Sequence, residues 1–219
     1  MLDLLVLLQA GLVTRFAPMK KSPARYLQAI RDWFSKPEPK TVPWPLAEGK
    51  PWMCRPAVEQ LEKLVVPGMR ILEWGSGGST VFCAERGAEV ICIEHDASWV
   101  KLLKSELARR KLSAQVNINQ IDLAANYVDI VDQLAGNFDL VIVDGRRRIE
   151  CVSKAHNRVV PGGWLVLDDS DREAYSPAYE RLAGWHKLVL KGPRPETEAD
   201  PQTTMWQRPH ESADVTLRS

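Results

Sequence analysis

The chain has no paired cysteines, no excess of either charge and no apolar run long enough to cross a bilayer, and each absence removes a class of function. Its four cysteines, Cys54, Cys83, Cys92 and Cys151, form no CxxC pair and have no companion histidines at zinc spacing. They read as reduced, mostly buried thiols of an intracellular protein, and the expected location is cytoplasmic. The 29 basic and 28 acidic side chains leave a formal charge of +1, so the global balance gives no sign of nucleic acid, an anionic membrane or a polyacidic ligand as partner. Residues Met1 to Val13 are apolar almost all round, but they carry Asp3, lack a basic leader and a small-residue cleavage site, and are too short for a membrane span. There is no internal repeat and no low-complexity tract.

What is present is one well-cored domain's worth of chain, 219 residues, with some decoration. Residues 1–55 read as a helical arm followed by a Pro- and Trp-rich lid or linker, residues 56–208 as the ligand-binding domain, and residues 209–219 as a flexible tail. The arm's apolar helix either packs on the domain or on a second subunit, giving a homo-oligomer, or rests on a membrane surface, since Arg15, Lys20 and Lys21 follow it. Pro37, Pro39, Pro43, Pro45 and Pro51 break regular structure around Trp44 and Trp52, whose indoles either cover a substrate or staple the arm to the domain.

From Pro56 the pattern becomes regular. A helix over 56–64 is followed by short apolar strands at 70–73, 90–94, 115–121, 138–144 and 164–168. Helices are expected between them at 79–86, 98–110, 130–134 and 150–159, with Pro161-Gly162-Gly163 opening the fifth strand. Strands apolar on both faces and separated by helices mean a parallel sheet covered on both sides, an α/β doubly wound fold. After a helix near 177–183, the runs 186–190 and 203–207 have no helical pattern between them and should pair antiparallel at one edge.

In such a sheet, ligands bind beyond the carboxyl ends of the strands. After the first strand comes Glu73-Trp74-Gly75-Ser76-Gly77-Gly78-Ser79-Thr80: glycines for a tight turn and close backbone approach, then a helix whose first N–H groups and hydroxyls are expected to face a ligand. After the second comes Glu94, nineteen positions beyond Gly75, where a carboxylate can accept hydrogen bonds from ribose hydroxyls. Together these point to a nucleoside cofactor. A dinucleotide turn would carry a third glycine where Thr80 stands, and Glu73 suits a cofactor with a positively charged amino group better than a pyrophosphate.

On these residues, ILEWGSGGST with IEHD, the run from Ile71 through Asp169 resembles the class I S-adenosylmethionine (SAM)-dependent methyltransferases, over roughly residues 56–208. The resemblance implies a Rossmann-like sheet of seven strands with the last one antiparallel. It also implies that Glu73 and Gly75, Ser76, Gly77, Gly78, Ser79 and Thr80 hold the methionine end, Glu94 the ribose, His95 the adenine face and Asp122 the adenine edge. His95 as an ordinary surface residue and Asp122 as a cap for a helix near Leu123 stay open beside these roles.

Methyl transfer from a sulfonium is an in-line displacement, and holding nucleophile and methyl in line can remove roughly 7 to 11 kcal/mol of barrier, so little more than a base is needed. The candidates are Asp144, which closes the fourth strand, and Asp168 and Asp169, which close the fifth. A divalent metal on Asp144 and Asp169 (or Asp168) is the alternative, similar to the metal-dependent catechol-type O-methyltransferases except that the Asn of their Asp-Asn pair is missing here. Arg146, Arg148 and Arg172 either clamp a carboxylate or phosphate on the substrate or neutralise the aspartates. The expected function is a SAM-dependent methyltransferase of a small, hydroxylated or anionic acceptor. An NAD(P)-dependent oxidoreductase and a non-catalytic SAM-binding scaffold are the alternatives.

Overall fold

Strand residues of the chain alternate between two apolar layers, and this alternation builds the sheet. In the computed structural model, which describes residues 42–195, 197 and 200–210, the elements are α1 (Trp44–Glu48), α2 (Arg55–Leu64), β1 (Arg70–Trp74), α3 (Gly78–Glu85), β2 (Glu89–Glu94), α4 (Ala97–Arg109), β3 (Val116–Gln120), β4 (Phe138–Val143), α5 (Arg148–Ala155), β5 (Val159–Leu167), α6 (Ser176–Arg181), β6 (His186–Lys191) and β7 (Gln202–Gln207). The strands form one sheet in the order β3-β2-β1-β4-β5-β7-β6, parallel except for β7, which runs antiparallel to both neighbours. The doubly wound seven-stranded architecture and the antiparallel pairing of the last two strands agree with the sequence expectation. The readings of residues 1–41 and 211–219, including the helical arm, its oligomer or membrane role and the flexible tail, lie outside the described residues.

Ile71, Val90, Cys92, Leu140, Ile142 and Val166 point to one layer, with Leu61, Val81, Leu103 and Leu107 from the helices. Leu72, Trp74, Ile91, Ile93, Val141, Val143, Leu165 and Leu167 point to the other, with Tyr127, Val152, Leu182 and Trp206. Because the strand period is two, Glu73 and Glu94 carry the parity of the first layer, and so do Asp144 and Asp168, one step past the ends of β4 and β5. Four carboxylates are thereby sent to one face at one end of the sheet.

Several expectations are corrected. The segment read as a linker or lid contains a helix: Pro45 occupies the first turn of α1, and Gly49, with φ +63°, ends it in the left-handed conformation. Leu46, Met53 and Cys54 are fully buried in the first layer, so the compact unit begins at Val42 rather than at residue 56. Arg110 fastens α1, donating to the Ala47 carbonyl and pairing with Glu85 and with Glu106 (2.6 Å), whose carboxyl is held at about 2 by its arginine hydrogen bonds. The helix expected over 130–134 is a short 3-10 turn, Asp129–Gln133. β5 begins at Val159, where a helix was expected to end, and Pro161-Gly162-Gly163 lie inside it. There the pairing with β4 jumps from Phe138↔Val159 to Leu140↔Trp164, because the proline has no N–H to give to a regular ladder.

Gly78 shows how closely the N-terminal segment is seated. A Cβ there would stand 2.0 Å from the Lys50 carbonyl oxygen and 2.3 Å from that of Pro45, both backbone. Gly78→Ala should therefore cost about 3 kcal/mol in urea unfolding, whereas Gly184→Ala, where a Cβ meets nothing within 4 Å, should change stability by less than about 0.5 kcal/mol.

Candidate active site

The glycine turn between β1 and α3 is shaped by close backbone contact. Gly75 has φ +87°, and a Cβ on it would stand 2.6 Å from the Gly145 nitrogen, so the turn after β1 lies directly against the turn after β4, where the strand order reverses. Asp144 donates its N–H to the Trp74 carbonyl across the same junction (2.9 Å). The Trp99 indole donates to the Ser76 carbonyl (2.6 Å) and faces Gly77, where a Cβ would meet the ring at 3.5 Å.

The hydroxyls of Ser79 and Thr80 turn inward onto Glu73 rather than outward to a ligand. Glu73 is fully buried; Ser79 Oγ donates to one carboxyl oxygen and Thr80 Oγ1 to the other (2.5 Å), while Thr80 Oγ1 accepts the Gly77 N–H (2.9 Å). Without these donors Glu73 would be an unsatisfied buried carboxylate. Burial pushes its pKa up, the two hydroxyls pull it down, Glu94 pushes it up again, and it comes to about 7.

Glu94 is treated differently. Burial raises its pKa, but hydrogen bonds from His95, Asp96 and Ser76 outweigh that and hold it below the ordinary value. Oε2 accepts from Ser76 N (3.1 Å) and Oγ (3.2 Å); Oε1 accepts from the N–H groups of His95 (2.7 Å) and Asp96 (3.0 Å) and lies 2.8 Å from His95 Nδ1. Ribose hydroxyls would fit here by replacing the two side-chain contacts while the backbone donors stay. His95 meets Tyr127 edge-on, with ring centroids 6.2 Å apart. Asp122 is exposed and begins no helix; it accepts the Ala124 N–H (2.8 Å) and opens a turn that leads to Tyr127. Tyr127 is buried, accepts the Arg146 N–H at its hydroxyl (3.2 Å) and the Trp74 indole N–H at its carbonyl (2.9 Å), and so joins the ends of β1 and β4. A lone tyrosine in a turn gave no sequence signal of this.

Asp144, Asp168 and Asp169 do gather at the ends of β4 and β5, together with three arginines. Arg148 pairs with Asp144 (2.8 Å) and Asp169 (3.7 Å) and donates to the carbonyls of Asp144 (2.9 Å), Gly145 (3.0 Å) and Asp168. It is thus committed to neutralising and bracing the two turns. Arg172 pairs with Asp169 (2.5 Å) and donates to the Tyr175 hydroxyl (3.2 Å), while Arg146, exposed like Arg172, forms no ion pair among the described residues. Arg194, from the β6–β7 connection, was not foreseen: it bridges Asp168 and Asp169, each at 2.7 Å, and lies 5.0 Å over the Trp52 ring, whose indole N–H donates to Pro195 (3.3 Å). Thr203 donates to Asp168 (2.6 Å). Nothing near Arg194 in the sequence announces it, because the connection owes its place to the antiparallel β7.

The three acids are set apart by their surroundings. Burial, then the neighbouring Asp168, pushes Asp144 up against the opposing pull of Arg148. Burial also raises Asp168, against the pull of Thr203 and Arg194. Asp169 feels burial too, but Arg194, Arg148 and Arg172 hold it below the ordinary value. Among the described residues no group of three or more His, Cys, Asp or Glu is arranged to hold a metal ion, and the expected ligand pair Asp144 and Asp169 is taken up by arginines. As it stands, this donor set does not fit a divalent cation.

No family model matches the chain, and no curated protein matches it. Solved structures do, at the level of the fold, and several of them are methyltransferases. The chain is similar to the O-methyltransferase TomG of Streptomyces achromogenes, solved in complex with SAM, at 17% identity and a TM-score of 0.55 over 92% of this chain and 96% of that one. It is likewise similar to a methyltransferase from Pyrococcus furiosus (17%, 0.54, 85% and 96%) and to the precorrin-6y C5,15-methyltransferase of Geobacter metallireducens (16%, 0.52, 68% and 86%).

Two outcomes follow. A carboxyl raised from 4.5 to about 7 binds more proton in the folded than in the unfolded chain, so between pH 4.5 and 7 stability falls as pH rises, by up to about 3 kcal/mol for Glu73. Urea titrations across that window should show the decline, and a smaller one for Glu73→Gln. Arg194→Ala, which leaves Asp168 buried without its cation, should lower stability by about 3 kcal/mol, with Arg172→Ala, at an exposed pair, costing under about 1 kcal/mol.

Proposed function

We propose that the chain is a SAM-dependent methyltransferase of a small hydroxylated or anionic acceptor. The observation that carries the reading is Glu94, fixed at the end of β2 by the turn residue Ser76, on the same sheet face as the carboxylates that close β4 and β5. Structures with this fold include one solved with SAM. The cofactor, when bound, supplies an electrophilic methyl group. Ser76 and Glu94 hold its ribose, the turn Gly75–Gly78 lets its methionyl end approach the backbone, and His95 with Tyr127 lines the adenine side.

Among the acids, Asp144 is the best placed to take the acceptor's proton: its side chain is 27% exposed and its pKa is raised. Asp169, held low by three arginines, is a weak base, and Asp168, buried under Thr203 and Arg194, braces the site. Arg146, exposed beside the Gly145 turn and without an ion pair among the described residues, is a cation that can meet an anionic acceptor. Among the described residues no helix is long and apolar enough to cross a membrane.

Calorimetry tests the reading. SAM and S-adenosylhomocysteine should both bind, and Glu94→Ala should weaken each at least tenfold, as the loss of charged hydrogen bonds predicts. No binding of either, or an unchanged Glu94→Ala, would overturn it. Binding of NADH in their place would favour the oxidoreductase, and cofactor binding without turnover on a broad acceptor library would favour the scaffold.

A further inference from the structure

Arg194 carries more donors than the aspartates use. Its Nη2 alone makes both carboxylate contacts, to Asp168 and Asp169 at 2.7 Å each, and Nη1 enters no hydrogen bond among the described residues. Nε is buried without a partner, in a side chain only 11% exposed. A charged donor left buried and unserved is costly, and is seldom kept in a folded chain without a use for it. Among the described residues one other buried side-chain atom is unpaired, Gln115 Oε1, and it stands before β3, at the opposite end of the sheet. Around Arg194 the surroundings suit an incoming ligand. The Trp52 ring lies over the guanidinium, at 5.0 Å, yet Trp52 stays 44% exposed, so an aromatic surface is open to solvent beside a buried charge. Backbone contacts fix both: the Trp52 indole donates to the Pro195 carbonyl (3.3 Å), and the Arg55 N–H to that of Pro193 (2.9 Å). Just before Trp52, the Lys50 carbonyl packs on Gly78 at the start of α3. Residues 50–55 thus run from the turn assigned to the cofactor to the acids that close β5, and the charge of Asp144, the proposed base, reaches Arg194 as well.

We infer that Arg194 and Trp52 form an acceptor subsite for a flat ring bearing an anionic oxygen, such as an aromatic carboxylate or phenolate. The indole takes the ring, and the unserved N–H groups of Arg194 take the oxygen. The inference rests on the methyl-transfer reading above and narrows its acceptor to aromatic compounds. A saturated ring would lose the stacking, and a neutral substituent would lose the charged hydrogen bond.

The experiment is a fluorine NMR titration of the full chain with 4-fluorobenzoate, with and without S-adenosylhomocysteine, whose own binding is followed by calorimetry on the same samples. The probe should bind saturably to the wild type. Arg194→Lys keeps a cation for Asp168 and Asp169 but lacks the guanidinium fork, and should bind it about tenfold more weakly. Trp52→Leu, at a half-exposed position, should weaken it about threefold. The uncharged 4-fluorobenzyl alcohol should bind the wild type about tenfold more weakly than the benzoate, with circular dichroism checking that each variant is folded. No saturable binding to the wild type would overturn the inference, as would equal affinity in folded Arg194→Lys, including a loss seen in Arg146→Ala alone. Probe binding that depends on Arg194 in a chain that takes up no S-adenosylhomocysteine would instead strike the cofactor reading and leave the subsite standing.

Discussion

Crowding carboxylates at one end of one face of a sheet is the constraint on which the rest of this structure depends. Strand parity sends Glu73, Glu94, Asp144 and Asp168 the same way, and an ionised carboxylate in a low-dielectric site must be satisfied or must neutralise. The chain uses three different solutions. Hydroxyls from the first turn of α3 serve Glu73, backbone N–H groups and a histidine serve Glu94, and arginines from the start of α5 and from the β6–β7 connection serve the aspartates. Each solution leaves its carboxyl at a different proton affinity.

The arginines also hold the loops. Arg148 reaches the carbonyls of both the β4 and β5 turns, and Arg194 ties the β6–β7 connection to the end of β5 while covering Trp52 from the N-terminal segment. Charge compensation and loop placement are thus performed by the same side chains. The aspartates and their arginines thereby form a network already near neutrality, and Arg146 stands exposed at its rim.

What could be read from the sequence was whatever repeats with a period or sits at a fixed distance from something that does. The pattern of apolar runs located six of the seven strands to within a residue or so and β5 by its second half, and the glycines, Glu73 and Glu94 were found because they stand at strand ends. Contacts made by segments far apart in the chain carried no such signal. Arg194 meets Asp168 across 26 positions and Tyr127 meets Arg146 across 19, both through loops whose course no local pattern dictates. α1 was missed because five prolines over 37–51 read as irregular chain, although one of them, Pro45, suits a first helical turn. The direction of the Ser79 and Thr80 hydroxyls depends on the burial of Glu73, a tertiary fact.

The backbone contact between Gly75 and Gly145 gives the molecule a shared seam between its two halves. The turn assigned to the cofactor and the turn that carries the proposed base are pressed together with no side chain between them, so neither can be lengthened or retuned alone. A lineage changing its acceptor would have to vary the outer connections, such as the one bearing Arg194, and leave this seam as it stands. New chemistry would then enter from the rim of the site, while the junction beneath it keeps the turn assigned to the cofactor and the turn of the proposed base at a fixed mutual distance.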